Sequence, residues 1–261
     1  DSSCSVKHKK TFDYIFNKTE AITLEQSKLT LSKDITVLSF SDSSMVDRNS
    51  SIIKVDSGWI VYSKNSESSI LSFTSDGQFS GYIGHRGNGP GEYTSVYDVV
   101  VNQKSKVLEV LSDGGIFCYT FGGDFLDKKE VTYPAFSFAI DDRQNYWFYV
   151  GNNTTYGDAK MICTDENIAN VAYYLHQKSN MLPMVENNFG RNGEWLTFHE
   201  SLNHDLYTIE NGKLDLSYAI DFPNYKLPKK LHELSGMEVI EELQRSNYAS
   251  IINYLENHDY I

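Results

Sequence analysis

Short apolar runs alternate with polar positions along most of the chain, and they recur in pairs around tight turns. ILSFTSDGQFS (residues 70–80) aligns position by position with IFCYTFGGDFL (residues 116–126). Such alternation around a two-residue turn predicts a β-hairpin. Weaker copies follow in residues 161–175 and 205–220. The four turn pairs stand about 45 residues apart: Asp76-Gly77, Gly122-Gly123, Asp165-Glu166 and Asn211-Gly212.

A second type of hairpin interleaves with the first at the same period, in residues 52–63, 96–112, 136–150 and 184–200. Each repeat therefore contains four short strands in roughly 40–50 residues, which predicts one blade of an all-β propeller. We expect an N-terminal tether over residues 1–19 and a single propeller domain over residues 20–261. Its four blades are predicted at about 52–84, 97–130, 136–175 and 184–221.

Three segments of this domain lie outside the four-strand repeat. Residues 20–40 hold one or two strands, which we expect to complete the last blade of a closed ring. Residues 229–253 follow Pro228 and predict a helical insertion, because apolar residues recur there at helical spacing: Leu231, Leu234, Ile240 and Leu243. Residues 254–261 have the pattern of an opening hairpin. We therefore expect them to begin a further blade, so that the propeller has more than four.

The glycine-rich stretch IGHRGNGPGEY (residues 83–93) has two interpretations, a phosphate-binding loop or a connection between blades. A phosphate loop leads from a strand into a helix and supplies a lysine. Here the stretch leads into the strand-like SVYDVVV and no lysine follows. The sequence therefore favours a connection, in which glycines allow the tight path between an outermost and an innermost strand.

The stretch from Ile70 to Leu126 resembles the six-bladed β-propeller lipoproteins of Bacteroidetes, which are relatives of the NHL-repeat proteins. The resemblance extends over about residues 30–261 and is strong over 52–130. The loop GHRGNGPGEY (residues 84–93) is the most specific part of the resemblance. The resemblance implies six blades, and we expect the fifth and sixth to be absent from this sequence. It also implies export to the periplasm or the outer-membrane surface, with a lipid on Cys4. DSSC itself is similar to a lipoprotein processing site, and the alternative is an incidental thiol in a flexible N-terminus.

Charge and cysteine content narrow the classes of partner. The chain carries 23 basic and 35 acidic residues, a formal net charge of −12, and no dense basic run. Nucleic acid is therefore not expected as a partner. No apolar run is long enough to cross a bilayer, so membrane contact is expected only through the N-terminal lipid. Cys118 and Cys163 lie in apolar runs and are expected to be buried free thiols.

Residues that often carry catalysis are present but do not form a recognisable motif. His199 and His204 flank a predicted turn without the spacing of a metal site, so we expect them to be solvated loop residues. Asp141 and Asp142 lie in a hairpin turn, where aspartate is favoured for bonding the local backbone. No metal ligand set recurs from blade to blade.

Propellers bind ligands at the ends of their innermost strands and on the loops of one face. By position, the candidate ligand-binding residues are His85, Arg86, Glu92, Tyr93, Asp98, Glu186 and Asn187. Arg86 and Glu92 have a second interpretation, in which they pair and brace their loop.

The sequence favours a binding module for an unknown glycan, peptide or protein, without a cofactor and without catalytic residues. The alternative is an enzyme, a lactonase or lyase of the NHL-like kind. Such an enzyme would hold a divalent cation on the propeller axis. It would need several converging carboxylate, asparagine or histidine ligands.

Overall fold

The computed structural model describes residues 10–13, 35–39, 46, 49–64, 69–151, 157–176, 187–192, 195–234, 236–251 and 254. Within these residues lie four sheets in a propeller-like arrangement, each with four antiparallel strands and one with an added parallel edge strand. The prediction of all-β, four-stranded blades is therefore confirmed. The described residues contain four such blades, whereas the family resemblance implies six.

The strands of each sheet follow one another in chain order from the innermost to the outermost. β1 (Lys10–Asp13) precedes all four sheets in the chain. The first sheet holds β2 (Ser51–Val55), β3 (Gly58–Tyr62), β4 (Ile70–Thr74) and β5 (Phe79–Ile83). A two-stranded connection, β6 (His85–Arg86) and β7 (Glu92–Tyr93), leads onward. The second sheet holds β8 (Asp98–Asn102), β9 (Val107–Ser112), β10 (Gly115–Tyr119) and β11 (Phe125–Lys129).

The third and fourth sheets repeat the same order. The third holds β12 (Ser137–Ile140), β13 (Tyr146–Tyr149), β14 (Ala159–Thr164) and β15 (Ala172–His176). The fourth holds β16 (Phe189–Asn192), β17 (Trp195–His199), β18 (Asp205–Glu210) and β19 (Lys213–Asp221). The glycine-rich stretch thus joins an outermost strand to the next innermost strand, as the sequence predicted.

The outer hairpins of the first three sheets share one turn geometry. In the first, the amide of Gly77 donates to the carbonyl of Thr74, and in the second the amide of Gly123 donates to Thr120. In the third, Ile168 donates to Asp165, so Ile168 with φ 59° stands where the others have glycine. The predicted turn pair Asp165-Glu166 was therefore placed two residues too early, because a β-branched residue hides the left-handed position.

Apolar side chains from facing sheets form the core. Residues of β3 and β9, such as Ile60 and Val110, share one cluster between the first and second sheets. A stack of aromatic rings, Phe138, Tyr146 and Phe148, fills the next interface at centroid distances of 6.0–6.4 Å. The two free thiols are buried on opposite sides of the third sheet, Cys118 in the cluster with the second sheet and Cys163 in that with the fourth.

The N-terminal part of the chain differs from the prediction of a tether. β1 pairs in parallel with β19 over the register Lys10–Tyr218 to Asp13–Asp221, so it forms the outer edge of the fourth sheet. Of the predicted strands in residues 20–40, only 35–39 are described. They form no regular strand, but Ser39 makes an isolated parallel bridge to Gln78.

The predicted helical insertion over 229–253 is shorter than expected. A 3-10 helix covers Lys229–Glu233, and α1 (Met237–Arg245) follows it. At Ser246 the backbone is extended, and the amide of Ala249 donates to the carbonyl of Tyr225. Serine and asparagine favour local bonds over helix continuation, which explains the early end. The start of a further blade at 254–261 lies outside the described residues, apart from Tyr254.

We expect Gly123→Ala to lower the free energy of unfolding by about 2 to 5 kcal/mol in urea denaturation. Gly123 has φ 99°, and a Cβ atom there would lie 2.4 Å from the carbonyl oxygen of Tyr82. Gly157→Ala is the matched control. Its φ is 74°, but nothing lies within 4 Å, so it should cost only about 1 to 2 kcal/mol of backbone strain. Equal losses in the two variants would contradict the close packing of the second outer turn against the first sheet.

Candidate functional site

The four sheets have two distinct ends. Innermost strands begin at one end, where the connections 84–97 and 130–136 also lie, and we call this end the loop face. The opposite end carries the hairpin turns, such as 56–57 and 103–106, and we call it the turn face. Because the strand order repeats in every sheet, all the sequence-predicted site residues that are described fall at the loop face. Cys4 and Glu186 lie outside the described residues.

The glycine-rich connection is braced from within by two of its predicted site residues. Glu92 accepts a hydrogen bond from the amide of Gly89 at 2.8 Å, and a Cβ atom at Gly87 would lie 1.9 Å from this carboxylate. Arg86 donates from Nε to the carbonyl of Thr94 at 2.9 Å. Each side chain thus bonds the backbone of its own loop, and the predicted pairing of Arg86 with Glu92 stays a prediction.

Tyr93 is buried and joins the connection to the first sheet. Its hydroxyl donates to the carbonyl of Ile83 at 3.1 Å and accepts from the amide of Ile70 at 3.2 Å. Its ring meets that of Tyr119 edge to face at 6.2 Å, and burial raises the pKa of Tyr93. With 1% of its surface exposed, Tyr93 cannot reach a ligand on the surface. It was a site candidate only by position, and here it bonds and packs the connection against the first sheet.

Asp98 joins three sheets at the loop face. The ammonium of Lys64, which follows the second strand of the first sheet, lies 2.9 Å from Oδ1. Oδ1 also accepts from the amide of Val99, and Oδ2 accepts from the amide of Phe138 at the start of β12. A carboxylate held by one cation and two amides is strongly fixed in place. Asp98 also contributes, after burial, to raising the pKa of the neighbouring Tyr62.

A second carboxylate is fixed in the same way between the third and fourth sheets. The ammonium of Lys160 donates to the two oxygens of Glu200 at 3.1 and 3.3 Å. Tyr149 donates its hydroxyl to Glu200 at 2.8 Å, and Asn203 donates its amide at 3.1 Å. Both charged groups are buried, so each depends on the other for its stability.

Neutral residues complete the series of contacts. The hydroxyl of Ser137 donates to Oδ1 of Asn188 at 2.9 Å, which connects the innermost strand of the third sheet to the residue before β16. Asn188 donates in turn to the carbonyl of His199 at 3.1 Å. We call the polar residues that join the sheets at the loop face the polar belt: Lys64, Asp98, Ser137, Asn188, Lys160 and Glu200.

A third buried carboxylate, Glu109, lies deeper, between the second and third sheets. It accepts from the hydroxyl of Tyr146 at 2.8 Å and from Asn102 at 3.0 Å, and Lys129 lies 3.9 Å away. Burial, followed by the Glu109 charge, raises the pKa of Tyr146 and raises that of the nearby Cys118 thiol to about 12. Sequence analysis missed Glu109, although a lone glutamate inside the apolar run VLEVLS was a usable signal.

An exposed aspartate fastens the end of the glycine-rich connection to the second sheet. Asp113, in the turn after β9, accepts from the hydroxyls of Thr94 at 2.8 Å, Ser95 at 2.9 Å and Tyr97 at 2.5 Å. These bonds lower the pKa of Asp113, with Tyr97 as the largest cause, and the same bond raises the pKa of Tyr97.

The histidine prediction was wrong for both residues of the FHESLNH segment. His199 is 1% exposed rather than solvated. His204 bonds the carbonyl of Ala249 through Nε2 at 3.0 Å and meets the ring of Phe222 edge to face. The chain after β19 covers this turn, which local sequence could not show.

Asp141 was correctly assigned to a turn. Its Oδ1 accepts from the amides of Arg143 and Asn145 at 2.9 and 2.8 Å. Among the described residues, no group of three or more histidine, cysteine, aspartate or glutamate side chains is arranged to hold a metal ion. No helix in the same part of the chain is long and apolar enough to cross a membrane.

The predicted site residues that remain exposed at the loop face are His85, Arg86 and Asn187. Arg86 is tied to the loop through Nε, whereas Asn187 directly precedes the Asn188 of the polar belt. The arrangement is therefore a rigid, internally bonded layer below a few exposed side chains with hydrogen-bonding groups. Chemically, such a surface can hold a polar ligand in a fixed position.

Comparisons with known proteins agree with the fold. A family profile described as a domain of unknown function, DUF4934, matches residues 7–261. A solved protein from Bacteroides fragilis NCTC 9343, described as exported, is similar with a TM-score of 0.74 at 15% identity, over 91% of this chain and 68% of that chain. A DUF4221 member from Bacteroides vulgatus ATCC 8482 gives 0.50 at 10% identity, over 82% and 68%.

A streptogramin B lyase is more distant, with a TM-score of 0.47 at 17% identity, over 74% of this chain and 59% of that chain. None of the curated proteins compared with the chain matches it. At these identities the similarity to solved structures concerns the fold alone.

We expect Lys160→Met to lower the free energy of unfolding by about 3 to 5 kcal/mol, because it leaves the buried Glu200 carboxylate without its cation. The double variant Lys160→Met/Glu200→Gln should recover a large part of this loss, since the glutamine keeps an acceptor for Tyr149. Urea denaturation measures both values. A double variant no more stable than the single one would contradict the assignment of the loss to an uncompensated charge.

We expect Asp113→Asn to lower the melting temperature at pH 7 but not at low pH. The folded pKa of Asp113 lies below its unfolded value of about 3.9, so the ionised group stabilises the fold above that pH. The stabilisation is lost as pH falls through the folded pKa. Thermal melts between pH 7 and pH 2.5 should show wild type and variant converging. Asp142→Asn, an exposed turn aspartate, is the control, and a pH-independent difference for Asp113→Asn would contradict the expectation.

Proposed function

The chain belongs to the DUF4934 family, and we propose that it is an exported propeller that binds a polar ligand, a glycan or a peptide, at its loop face. The observation that carries the proposal is the polar belt. It locks neighbouring sheets together below the exposed His85 and Asn187, and so provides a rigid support for ligand contacts.

The state of the buried carboxylates favours binding over catalysis. A general acid or base must reach the proton that it transfers. Asp98, Glu109 and Glu200 are each less than 10% exposed, and each is already bonded to an amide or a hydroxyl with a lysine nearby. The contacts of these three carboxylates join neighbouring sheets, which explains their burial without a catalytic role. An enzyme with an axial divalent cation stays an untested prediction, and it would need other groups than these three.

Export and lipid anchoring are further parts of the proposal. The solved protein from Bacteroides fragilis is described as exported, and DSSC at the N-terminus is similar to a lipoprotein processing site. Lys10, the first residue of β1, lies six residues after Cys4. Six residues span at most about 20 Å. A lipid on Cys4 would therefore keep the outer edge of the fourth sheet close to the membrane.

We expect the double variant His85→Ala/Asn187→Ala to weaken binding of any probe that uses the loop face by tenfold or more in Kd, about 1.4 kcal/mol. The probes are panels of soluble oligosaccharides and of short peptides, measured by fluorescence polarisation. Lys104→Ala, on an exposed turn of the turn face, is the matched control and should leave Kd unchanged. Absence of binding across both panels, or equal loss in the control, would contradict the proposal.

The same protein tests the enzymatic alternative. Thermal melts with calcium, magnesium, manganese and zinc ions, added singly to metal-depleted protein, would show a rise in melting temperature if an axial site exists. Metal content of the purified protein gives the independent measurement.

A further inference from the structure

The side of the first sheet that faces away from the second sheet is apolar and incompletely covered. It carries Val61, Leu71 and Phe73, which form a cluster of their own. Ile52, the cross-strand partner of Val61, is 58% exposed there. Its counterpart Val99, paired with Val110 in the second sheet, is 4% exposed because the first sheet packs on it. We call this side of the first sheet, with Ile52 and Val61, the outward side.

A polar atom on the outward side also lacks a partner. The indole Nε1 of Trp59 is buried and has no hydrogen-bond partner among the described residues. The ammonium of Lys54 lies 5.3 Å from the centre of the same ring. A buried donor without an acceptor is uncommon in native folds. The exposed Ile52 and the unpartnered indole of Trp59 are both expected where a further element packs on the sheet.

The segment 35–39 repeats, at the first sheet, the contacts that the end of the first sheet makes at the second. Ser39 donates from its amide to the carbonyl of Gly77 at 2.8 Å, and Gly84 donates to the carbonyl of Gly123 at 3.4 Å. Gly77 and Gly123 hold the same position in their outer turns, as described above. Ser39 therefore makes the same hydrogen bond to the outer turn of the first sheet that Gly84 makes to the outer turn of the second.

Two further contacts agree with this equivalence. A Cβ atom at Gly77 would lie 2.1 Å from the carbonyl oxygen of Val37, as one at Gly123 would lie 2.4 Å from that of Tyr82. Leu38, which lies between Val37 and Ser39 in the chain, packs on the cluster of the outward side. Ile83, which lies between Tyr82 and Gly84, packs on the matching cluster of the second sheet. Tyr82 and Ile83 are the end of an outermost strand, so Val37 and Leu38 occupy the place of one.

We propose that residues 37–39 are the end of the outermost strand of a further blade, whose other three antiparallel strands dock on the outward side. The occupant is thus a sheet of the same kind as the four described, with an apolar side that covers Ile52 and an acceptor for Trp59. This inference concerns what covers the first sheet and is independent of ligand binding at the loop face. About a third of the similar Bacteroides fragilis chain lies outside the match, which leaves room for such an element there.

The first test concerns the segment itself. At Gly77, φ is 88° and an added Cβ atom would lie 2.1 Å from the Val37 carbonyl oxygen. Gly77→Ala should therefore destabilise the protein as much as Gly123→Ala does. It should reduce the folding equilibrium constant at least several-fold more than Gly157→Ala does. A Gly77→Ala variant that matches Gly157→Ala would show that residues 37–39 do not hold this place, and would overturn the proposal.

The second test concerns the occupant. A photo-crosslinking amino acid replaces Ile52 in the full-length protein produced in its native host, and mass spectrometry identifies what it joins. Crosslinks to strand-forming peptides of the same molecule are expected. Crosslinks to a second copy or to another protein, or none at all, would overturn the proposal. A crosslinker at Lys104 on the turn face is the control and should not join those peptides.

An accessibility measurement keeps the result independent of crosslinking chemistry. In a Cys4→Ser background, Ile52→Cys in the full-length protein should react with a maleimide at least tenfold more slowly than Lys104→Cys. Equal rates would mean an open outward side and would contradict the proposal. Neither crosslinking nor maleimide reaction at position 52 depends on oligosaccharide or peptide binding at the loop face. Failure of the further-blade proposal is therefore distinguishable from failure of the ligand-binding proposal.

Discussion

The structure depends on the burial of both sides of each sheet. A β-sheet on a surface needs only one apolar side, whereas β9 and β13 point apolar residues in both directions, toward the preceding and the following sheet. Such a sheet is stable only between two neighbours, because each exposed apolar side costs about 25 cal/mol per Å² left in water. The radial arrangement follows from this constraint, and so does the need to cover the side that carries Ile52.

Apolar packing holds the sheets side by side, and a few buried polar groups add hydrogen bonds between them. At the loop face the innermost strands come together, and there Asp98 and Glu200 replace apolar contacts with directional bonds between sheets. The hydrophobic effect has no preferred direction, whereas a carboxylate with one cation and fixed donors has a single good position. The polar belt therefore gives the sheets a defined relative placement at the end where the connections are exposed.

Local sequence was sufficient for the elements whose signals are local. Alternation and turn pairs such as Asn211-Gly212, both at positive φ, located four blades. The same reasoning failed at Ile168, where a β-branched residue takes a glycine's position, and at Ser246, where the helix ends early. It also gave no indication of β1, whose four residues carry no distinctive alternation and gain a partner about 200 residues away.

The candidate site was less predictable, because its contacts join residues distant in sequence. Lys64 lies 34 positions from Asp98, and Lys160 lies 40 from Glu200. Position in the repeat correctly brought Asp98 to the loop face, but it could not show that the carboxylate is already bonded. Tyr93 illustrates the same limit. Its place in the connection was foreseen, while its burial depends on Ile70 and Ile83 of another sheet.

The positions of the two buried thiols decide how the folded protein responds to oxidation. Burial raises the pKa of Cys118 and of Cys163 to about 12, so neither forms the thiolate that attacks a disulfide. The third sheet stands between them and prevents their joining. In the folded protein both thiols should therefore stay free, in oxidising and in reducing solution alike.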